Sequence, residues 1–227
     1  MKLVIFDCDG TLVDSQHLIV AAMSQAFDMH GLTPPPREKT LSIVGLSLPI
    51  AVARLLPPDA DAGLIDAVRE GYRSAFGDLR RDPSHNEPMY PGALDAIREL
   101  AARPDVVLGV ATGKSIRGVD RLFERFEIAQ HFVTIQTADT HPSKPHPSMI
   151  LTAMAEAGTD PSRTVMIGDT TYDIEMARAA QVGAIGVDWG YHSPVELEAA
   201  GAHVIVSRYP DLIGAIDAQI GMNGVAA

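Results

Sequence analysis

The sequence contains a single cysteine, Cys8, among 227 residues. One cysteine cannot form an internal disulfide bond, and it cannot supply a cysteine-rich zinc site. Aromatic residues make up only 5% of the chain, whereas 46% is hydrophobic and 21% is charged. This balance is typical of a folded globular protein rather than a disordered one. The length allows one or two domains, and either could bury a core.

The sequence also lacks an excess of basic residues and any long apolar run. Lys and Arg number 18 against 29 Asp and Glu, so the net charge is −11. This balance argues against a nucleic acid or an anionic membrane as the main partner. No apolar run approaches the ~18 residues that a membrane-spanning helix needs. Asp7 and Asp9 lie where the apolar part of a signal peptide would be, so we expect a cytoplasmic protein.

Short β-branched or apolar runs alternate with helical patterns along much of the chain. Buried strands are predicted at 3–6, 106–110, 132–135, 165–167, 184–187 and 204–206. Between them, apolar residues recur at spacings of three and four, which predicts helices with one buried face. This alternation predicts an α/β fold with a Rossmann-like parallel sheet covered on both faces. Functional residues of such sheets follow the carboxyl ends of the strands.

The segment 15–86 breaks this alternation, because it has helical patterns and no convincing strand. It separates the first predicted strand from the rest of the sheet. We therefore predict a core domain of residues 1–14 and 87–227 and an inserted α-helical cap domain of residues 15–86. The polar, proline-rich stretch 80–91 suits a linker. The tail 221–227 is expected to be frayed.

The first group of candidate functional residues is Asp7-Cys8-Asp9-Gly10-Thr11, directly after a predicted strand. Two carboxylates at the end of a buried strand are costly unless they are compensated. Mg²⁺ would compensate them, since it takes oxygen ligands from one or two carboxylates and a substrate phosphate. The alternative is a surface turn with two solvated aspartates, because Asp-Gly is a common turn pair.

Two further groups could bind phosphate. Thr112-Gly113-Lys114-Ser115 follows another strand and offers a hydroxyl and a free backbone N–H at the start of a helix. It is not a P-loop, because Leu108 stands where that motif has glycine; the alternative is a simple N-cap. Lys144 lies in a stretch whose prolines restrict the backbone, which favours neutralisation of phosphate over an ordinary surface lysine.

The fourth group contains Asp169 and Asp173. Asp169 is predicted at the tip of a strand and Asp173 in the first turn of the next helix, so their spacing directs both carboxylates to one point. Asp173 could alternatively serve only to complement the helix dipole. Together, the four groups predict a single cleft that holds acids for Mg²⁺ and a hydroxyl, a lysine and N–H groups for phosphate.

In these four motifs the sequence resembles the haloacid dehalogenase superfamily of phosphohydrolases, in its phosphoglycolate phosphatase-like subgroup with a helical cap. The motifs occur in the family's order and the resemblance covers nearly the whole chain. It implies a Mg²⁺-dependent phosphatase that hydrolyses a small phosphomonoester, with 2-phosphoglycolate as one candidate. The expected partner is a small-molecule phosphate ester, with no nucleic acid and no membrane, and the protein is expected to be a monomer or a homodimer.

The resemblance implies a role for each residue that would take part in the reaction. Asp7 would be the nucleophile and form an aspartyl-phosphate. Asp9 would protonate the leaving alcohol and then accept a proton from water. Thr112, the Gly113 N–H and Lys144 would hold the oxygens of the transferred phosphate, with Thr112 and Lys144 counted as both catalytic and substrate-binding.

The resemblance also implies a metal site. Mg²⁺ would lie between the Asp7 carboxylate, the backbone carbonyl of Asp9, Asp169 and the phosphate, with Asp173 acting through water. Asp9 additionally separates this chain from the family's metal-free dehalogenases, which lack that acid.

The cap is expected to select the substrate. The family's sugar phosphomutases would have a histidine at Ile19 and an arginine at Leu48, and its phosphonate-cleaving members would place a lysine near Leu48. None of these residues is present, which favours a simple phosphomonoesterase. Gly45 in the cap loop and Arg54 are predicted to bind substrate, with Arg54 and Lys39 as candidates to meet a substrate carboxylate.

Two alternatives to phosphoglycolate hydrolysis remain open in the sequence. The same chemistry could act on a nucleotide, pyrophosphate or a sugar phosphate. The chain could also be a non-catalytic phosphate-binding protein, although the presence of both Asp7 and Asp9 argues against a degenerate site.

Overall fold

A six-stranded parallel sheet forms the centre of the protein. The structure, a computed structural model, describes residues 1–82 and 86–223. The strands are β1 (Lys2–Phe6), β2 (Val106–Thr112), β3 (Phe132–Thr137), β4 (Thr164–Gly168), β5 (Gly183–Val187) and β6 (Val204–Val206). All six predicted strands are present, and the predicted α/β fold with a parallel sheet is confirmed.

The sheet order is β3-β2-β1-β4-β5-β6. The strands β2 and β3 extend the sheet on one side of β1, and β4, β5 and β6 extend it on the other. The order reverses between β1 and β4, and ligands of open α/β sheets bind beyond the carboxyl ends of strands at such a point. Alternate residues of β1 supply the two hydrophobic cores: Val4 and Phe6 belong to one, and Leu3 and Ile5 to the other. This alternation follows from the two-residue period of a strand whose two faces are both covered.

Helices cover both faces of the sheet or form the segment after β1. They are α1 (Gln16–Met29), α2 (Arg37–Leu41), α3 (Leu48–Leu55), α4 (Ala62–Leu79), α5 (Ala93–Ala101), α6 (Ile116–Phe126), α7 (Ser148–Ala157), α8 (Thr171–Ala179), α9 (Pro194–Ala199) and α10 (Tyr209–Asn223).

Helices α1, α3 and α4 pack around a third hydrophobic cluster, which contains Met23, Phe27, Val52 and Val68. The apolar residues in this cluster therefore meet each other rather than the sheet. The division into a core of 1–14 and 87–227 and a cap of 15–86 stays our prediction, and we use the terms core and cap in that sense.

Two predicted flexible stretches fall partly outside the described residues. Residues 83–85 of the expected linker and residues 224–227 of the expected frayed tail lie outside them. Residues 221–223 instead form the last turn of α10, so the prediction of a frayed tail is wrong for these three residues. Within residues 1–82 and 86–223, none of the helices combines the length and the apolar character needed to span a bilayer.

Candidate active site

Four strand ends and the loops that follow them bring the predicted residues to one edge of the sheet. Asp7 comes directly after β1, and its backbone N–H donates to the Ile167 carbonyl of β4 at 2.9 Å. This hydrogen bond extends the β1–β4 pairing beyond the strand and sets Asp7 beside Asp169, the residue after β4. Thr112 ends β2 on the other side of β1.

Three buried carboxylates form a cluster at this edge. One oxygen each of Asp7, Asp169 and Asp173 lies within 4.8 Å of the others, which is a spacing suited to a shared metal ion. Lys144 is only 2% exposed, and its Nζ lies 3.0 Å from Asp7 Oδ1 and 2.6 Å from Asp173 Oδ1. Within the cluster, three carboxylates thus face one ammonium group, which leaves an excess of negative charge when all are ionised.

The Asp7 carboxylate is the least satisfied member of the cluster. Apart from the close approach of Lys144, neither of its buried oxygens accepts a hydrogen bond of normal geometry from the described residues. The pKa of Asp7 is raised to about 6, chiefly by burial, with smaller contributions from the carboxylates of Asp173 and Asp9 that together outweigh the attraction of Lys144. A buried carboxylate in this position is stabilised by a hard divalent cation, whose preferred ligands are oxygens.

Asp169 is held in one orientation. Thr11 Oγ1 donates to its Oδ1 at 2.8 Å, and the Tyr191 N–H donates to its Oδ2 at 2.9 Å. Burial, together with the charges of Asp173 and Asp7, raises the pKa of Asp169 well above its usual value. Gly10 permits this arrangement: its φ is +83°, and a Cβ there would lie 2.2 Å from Asp169 Oδ2.

Asp173 serves the helix and the cluster at once. Its Oδ2 accepts from the Thr170 N–H at 3.1 Å and from Thr170 Oγ1 at 2.7 Å, which forms a capping box at the start of α8. Its Oδ1 faces Lys144. The two interpretations of Asp173 from sequence, a helix-terminal acid and a member of the cleft, therefore describe different oxygens of the same carboxylate.

The side chain of Asp9 is not a member of this carboxylate cluster. Its Oδ1 accepts hydrogen bonds from Ser15 Oγ at 2.6 Å and from Lys114 Nζ at 2.8 Å, whereas its Oδ2 has no hydrogen-bond partner in the part of the chain that is described. Burial alone would raise the pKa of Asp9, but the charge and hydrogen bond of Lys114 and the hydrogen bond of Ser15 lower it overall.

Thr112 and Gly113 lie beneath the cap loop. Thr112 Oγ1 accepts from the Lys114 N–H at 3.3 Å, which leaves the hydroxyl proton of Thr112 available for another acceptor. A Cβ on Gly113 would lie 2.6 Å from the Gly45 carbonyl oxygen and 2.7 Å from that of Leu46. Only glycine therefore fits here, and the loop that contains the predicted residue Gly45 covers this part of the site directly.

The family assignment rests on this fold, this site and the match to known proteins. The model of the haloacid dehalogenase-like hydrolase family matches residues 4–187, which span all four motifs. The chain belongs to this family. The resemblance to the haloacid dehalogenase superfamily is therefore confirmed.

Relatives of the chain within the haloacid dehalogenase-like family include phosphatases. The chain is 36% identical to the probable phosphatase IndB of Dickeya dadantii, over 97% of this chain and 96% of that protein. It is 30% identical to a phosphoglycolate phosphatase of Pseudomonas putida, over 97% of this chain and 82% of that one. A crystal structure of a hydrolase from Pseudomonas syringae superposes with a TM-score of 0.84 at 25% identity, over 96% of this chain and 99% of that one. These comparisons assign the protein to the phosphomonoester hydrolases of the family.

The cap of this haloacid dehalogenase-like protein contacts the core on the side of α8. Tyr172 OH donates to the Ser42 carbonyl at 2.9 Å, and the Ser47 N–H donates to Ser143 Oγ at 2.9 Å. Arg54 donates to Tyr172 OH at 2.9 Å, and its guanidinium lies 5.4 Å from the centre of the Tyr172 ring. The predicted substrate ligand Arg54 is thus an exposed residue of the cap–core junction in this conformation.

Apolar residues occupy positions 19 and 48, where the family's phosphomutases and phosphonate-cleaving members would have polar residues that take part in their reactions. Ile19 is buried in α1 and Leu48 is half-buried at the start of α3. Two side chains that donate to Asp9 had no role in the predictions from sequence. They are Lys114 and Ser15. Lys114 follows the predicted phosphate-binding residues directly and is one of only four lysines in the chain. These two facts could have indicated a role for Lys114 from the sequence.

Proposed function

We propose that this haloacid dehalogenase-like hydrolase cleaves a small phosphomonoester through an aspartyl-phosphate on Asp7, with Mg²⁺ as its cofactor. The observation that carries the proposal is the Asp7 carboxylate, which is buried, accepts no regular hydrogen bond from the described residues and faces Lys144 and two further carboxylates. A nucleophile needs such an unengaged oxygen, since each hydrogen bond donated to it would lower its reactivity.

The donor set fits a hard divalent cation. The residues that would hold it are the carboxylates of Asp7 and Asp169 and the backbone carbonyl of Asp9, with Asp173 acting through water. When bound, Mg²⁺ would reduce the repulsion between these carboxylates and the phosphate and would stabilise the charge of the transition state. Lys144 neutralises part of the same charge, but a single ammonium group cannot balance three carboxylates.

In the first half of the proposed reaction, an Asp7 oxygen attacks phosphorus and the bond between phosphorus and the ester oxygen breaks. Asp9 gives its proton to that oxygen, which leaves as an alcohol. Oδ1 of Asp9 already accepts two hydrogen bonds, so we assign the transferred proton to Oδ2. Lys114 favours ionised Asp9 in the resting enzyme; the negative charge of an arriving phosphate opposes this effect and promotes protonation.

In the second half, a water molecule attacks the phosphorus of the aspartyl-phosphate. Asp9 Oδ2 accepts a proton from this water, and the bond between Asp7 and phosphorus breaks to release inorganic phosphate. Asp7 returns as a carboxylate and Asp9 again carries the proton that the next cycle uses. Two displacements with lower barriers thereby replace a single difficult one.

Thr112, Gly113 and Lys144 are proposed to hold the transferred phosphoryl group. The Thr112 hydroxyl keeps a free proton, and the buried Lys144 ammonium carries a full charge, because its pKa is raised by Asp173 and Asp7 despite burial. Donors that are already in place stabilise the developing charge without reorganisation. The cap loop over Gly113 would exclude water from this region.

We propose 2-phosphoglycolate as a candidate substrate. A phosphoglycolate phosphatase is among the relatives, and Ile19 and Leu48 cannot supply phosphomutase or phosphonatase chemistry. Gly45 would meet the substrate through the cap loop, whereas Arg54 would have to leave Tyr172 to reach a substrate carboxylate. A nucleotide, pyrophosphate or a sugar phosphate remains the alternative substrate. A cytoplasmic location and a monomer or homodimer remain our predictions.

Turnover of p-nitrophenyl phosphate tests the chemistry. We expect turnover with Mg²⁺, none with EDTA and none in Asp7→Asn; equal rates under the three conditions would contradict the mechanism. A panel of phosphoglycolate, nucleotides, pyrophosphate and sugar phosphates tests the substrate. The highest kcat/KM on a nucleotide would exclude phosphoglycolate as the physiological substrate while leaving the chemistry intact.

A further inference from the structure

Lys114 is buried beside the proposed acid, although the mechanism above assigns it no step. Its Nζ lies 2.8 Å from Asp9 Oδ1, and its side chain is 7% exposed. Ser15 Oγ donates to the same oxygen at 2.6 Å. Two donors on one oxygen fix the carboxylate of Asp9 and leave Oδ2 as the oxygen available to a substrate.

A second carboxylate holds Lys114 from the other side. Glu87 Oε1 lies 3.4 Å from Lys114 Nζ, and Glu87 itself is only 2% exposed. The other oxygen of Glu87, Oε2, accepts from Arg80 Nε at 2.7 Å. The charges therefore alternate along Asp9, Lys114, Glu87 and Arg80. A buried ion pair is stabilising only when its members have such further partners.

The cap supplies a further contact of Lys114. The Phe76 ring of α4 lies 5.6 Å from Lys114 Nζ and 5.1 Å from the guanidinium carbon of Arg80. One aromatic ring thus contacts both cations at cation–π distance. Phe76 and Arg80 belong to the predicted cap, whereas Lys114 and Asp9 belong to the core, so the network joins the two parts at the proposed acid.

We propose that Lys114 is a positioning residue that holds Asp9 for proton transfer to the leaving group, and that Phe76 and the Glu87–Arg80 pair hold Lys114 in turn. This inference depends on the proposed function, because it assumes that Asp9 is the general acid. It adds that the orientation of the acid depends on the cap, so the cap influences leaving-group departure as well as substrate selection.

Substrates with different leaving groups can show whether Lys114 positions the acid or has a purely structural role. A simple alkyl alcohol is a poor leaving group and needs a proton as its bond to phosphorus breaks, whereas p-nitrophenolate leaves without one. A displaced acid therefore slows the alkyl ester selectively. The value of kcat/KM reports this step, since it covers events up to the first irreversible one. An alkyl phosphate with no other charged group also excludes a direct contact between Lys114 and a substrate carboxylate as the cause.

The experiment measures kcat/KM with Mg²⁺ for an alkyl phosphate and for p-nitrophenyl phosphate in Lys114→Met and Asp9→Asn. We expect both variants to lose about 100-fold on the alkyl ester and less than about 3-fold on the nitrophenyl ester. Lys2→Met is the matched control, because Lys2 pairs with Asp105 at the start of β1, and it should alter neither value. Retained nitrophenyl turnover also shows that the variants fold.

Two further variants test the parts of the network. Lys114→Arg keeps the charge and should recover part of the lost alkyl activity. Phe76→Leu should lower alkyl turnover in the same selective way by about 5-fold, since it removes only the aromatic contact. Phe126→Leu is its control, because the Phe126 ring contacts Arg125 rather than Lys114.

The outcomes separate this inference from the proposed function. If Asp9→Asn is selective and Lys114→Met lowers both esters equally, Lys114 has a structural role and the inference is wrong while the mechanism stands. If Asp9→Asn shows no selectivity, Asp9 is not the general acid, and the mechanism and the inference fail together. If Phe76→Leu changes kcat/KM equally for the alkyl and nitrophenyl esters, the cap does not help to position Asp9.

Discussion

The surroundings of Asp7 and Asp9 differ although only one residue separates them. Asp7 lies among carboxylates, and its oxygens accept no regular hydrogen bond within the described residues. Asp9 has one oxygen fully occupied by Ser15 and Lys114. Their pKa shifts have opposite directions: burial raises the pKa of Asp7 to about 6, whereas Lys114 overcomes the effect of burial and lowers the pKa of Asp9.

The two aspartates also depend on different parts of the chain. The neighbours of Asp7 come from the core: Asp169 follows a strand, Lys144 lies in a loop and Asp173 lies in the first turn of α8. The network of Asp9 reaches α4 of the cap through Lys114 and Phe76. We infer that the core alone positions the proposed nucleophile, whereas the core and the cap together position the proposed acid.

Asp7→Asn should have the largest effect. The amide cannot act as a nucleophile, so kcat for any phosphomonoester should fall by at least about 1,000-fold, whatever the leaving group. Steady-state rates on the alkyl and nitrophenyl esters provide the measurement. Asp105→Asn, a change at an exposed carboxylate, is the control and should retain full activity. An Asp7→Asn variant that keeps one-tenth of the activity would remove Asp7 from the chemistry.

Metal removal should act through the carboxylate cluster that contains Asp7. EDTA should abolish turnover, and Mg²⁺ at about 100 times its Kd should stabilise the protein by about 2.7 kcal/mol, because only the folded state assembles the carboxylates. Thermal unfolding with and without Mg²⁺ measures this without any substrate. The increase in Tm should be smaller in Asp169→Asn than in the unchanged protein. An equal increase in both would place the cation elsewhere.

Gly113→Ala tests whether the cap must close over the phosphate-binding residues. The new Cβ would overlap the carbonyl oxygens of Gly45 and Leu46, which are backbone atoms and cannot rotate away. We expect kcat/KM to fall by about 10-fold, since the loop must shift by about 1 Å or the cap must remain open. Gly77→Ala, at a position where a Cβ meets nothing within 4 Å, is the control. Unchanged kinetics in Gly113→Ala would mean that turnover does not need this contact.

Arg54→Gln should have the smallest effect. Arg54 is exposed and contacts Tyr172, so its loss should change KM by less than about 3-fold if the arrangement seen here persists during turnover. Kinetics on 2-phosphoglycolate and on p-nitrophenyl phosphate compare a substrate that has a carboxylate with one that has none. A large rise in KM confined to phosphoglycolate would instead support the sequence-based prediction that Arg54 meets the substrate carboxylate.

The sequence predicted the strands and the acids because their signals are local. Asp7 and Asp169 each follow a buried strand directly, and a parallel sheet brings such positions to one edge. The partners of Asp9 could not be predicted in the same way. Lys114 is 105 residues away in sequence, and Glu87 lies in a stretch that is typical of a linker but is almost fully buried. Such pairings join residues that are far apart in the sequence, and no local pattern encodes them.

The most direct test of the central claim is to trap the phosphorylated enzyme. The protein is mixed with a phosphomonoester and Mg²⁺, quenched in acid within one turnover, treated with borohydride and analysed by peptide mass spectrometry. Borohydride reduces an acyl phosphate to an alcohol but leaves a free carboxylate unchanged. The account predicts that the reduced residue is at position 7, that position 9 is unchanged, and that Asp7→Asn gives no product. Reduction at another aspartate, or at none while substrate is consumed, would contradict it.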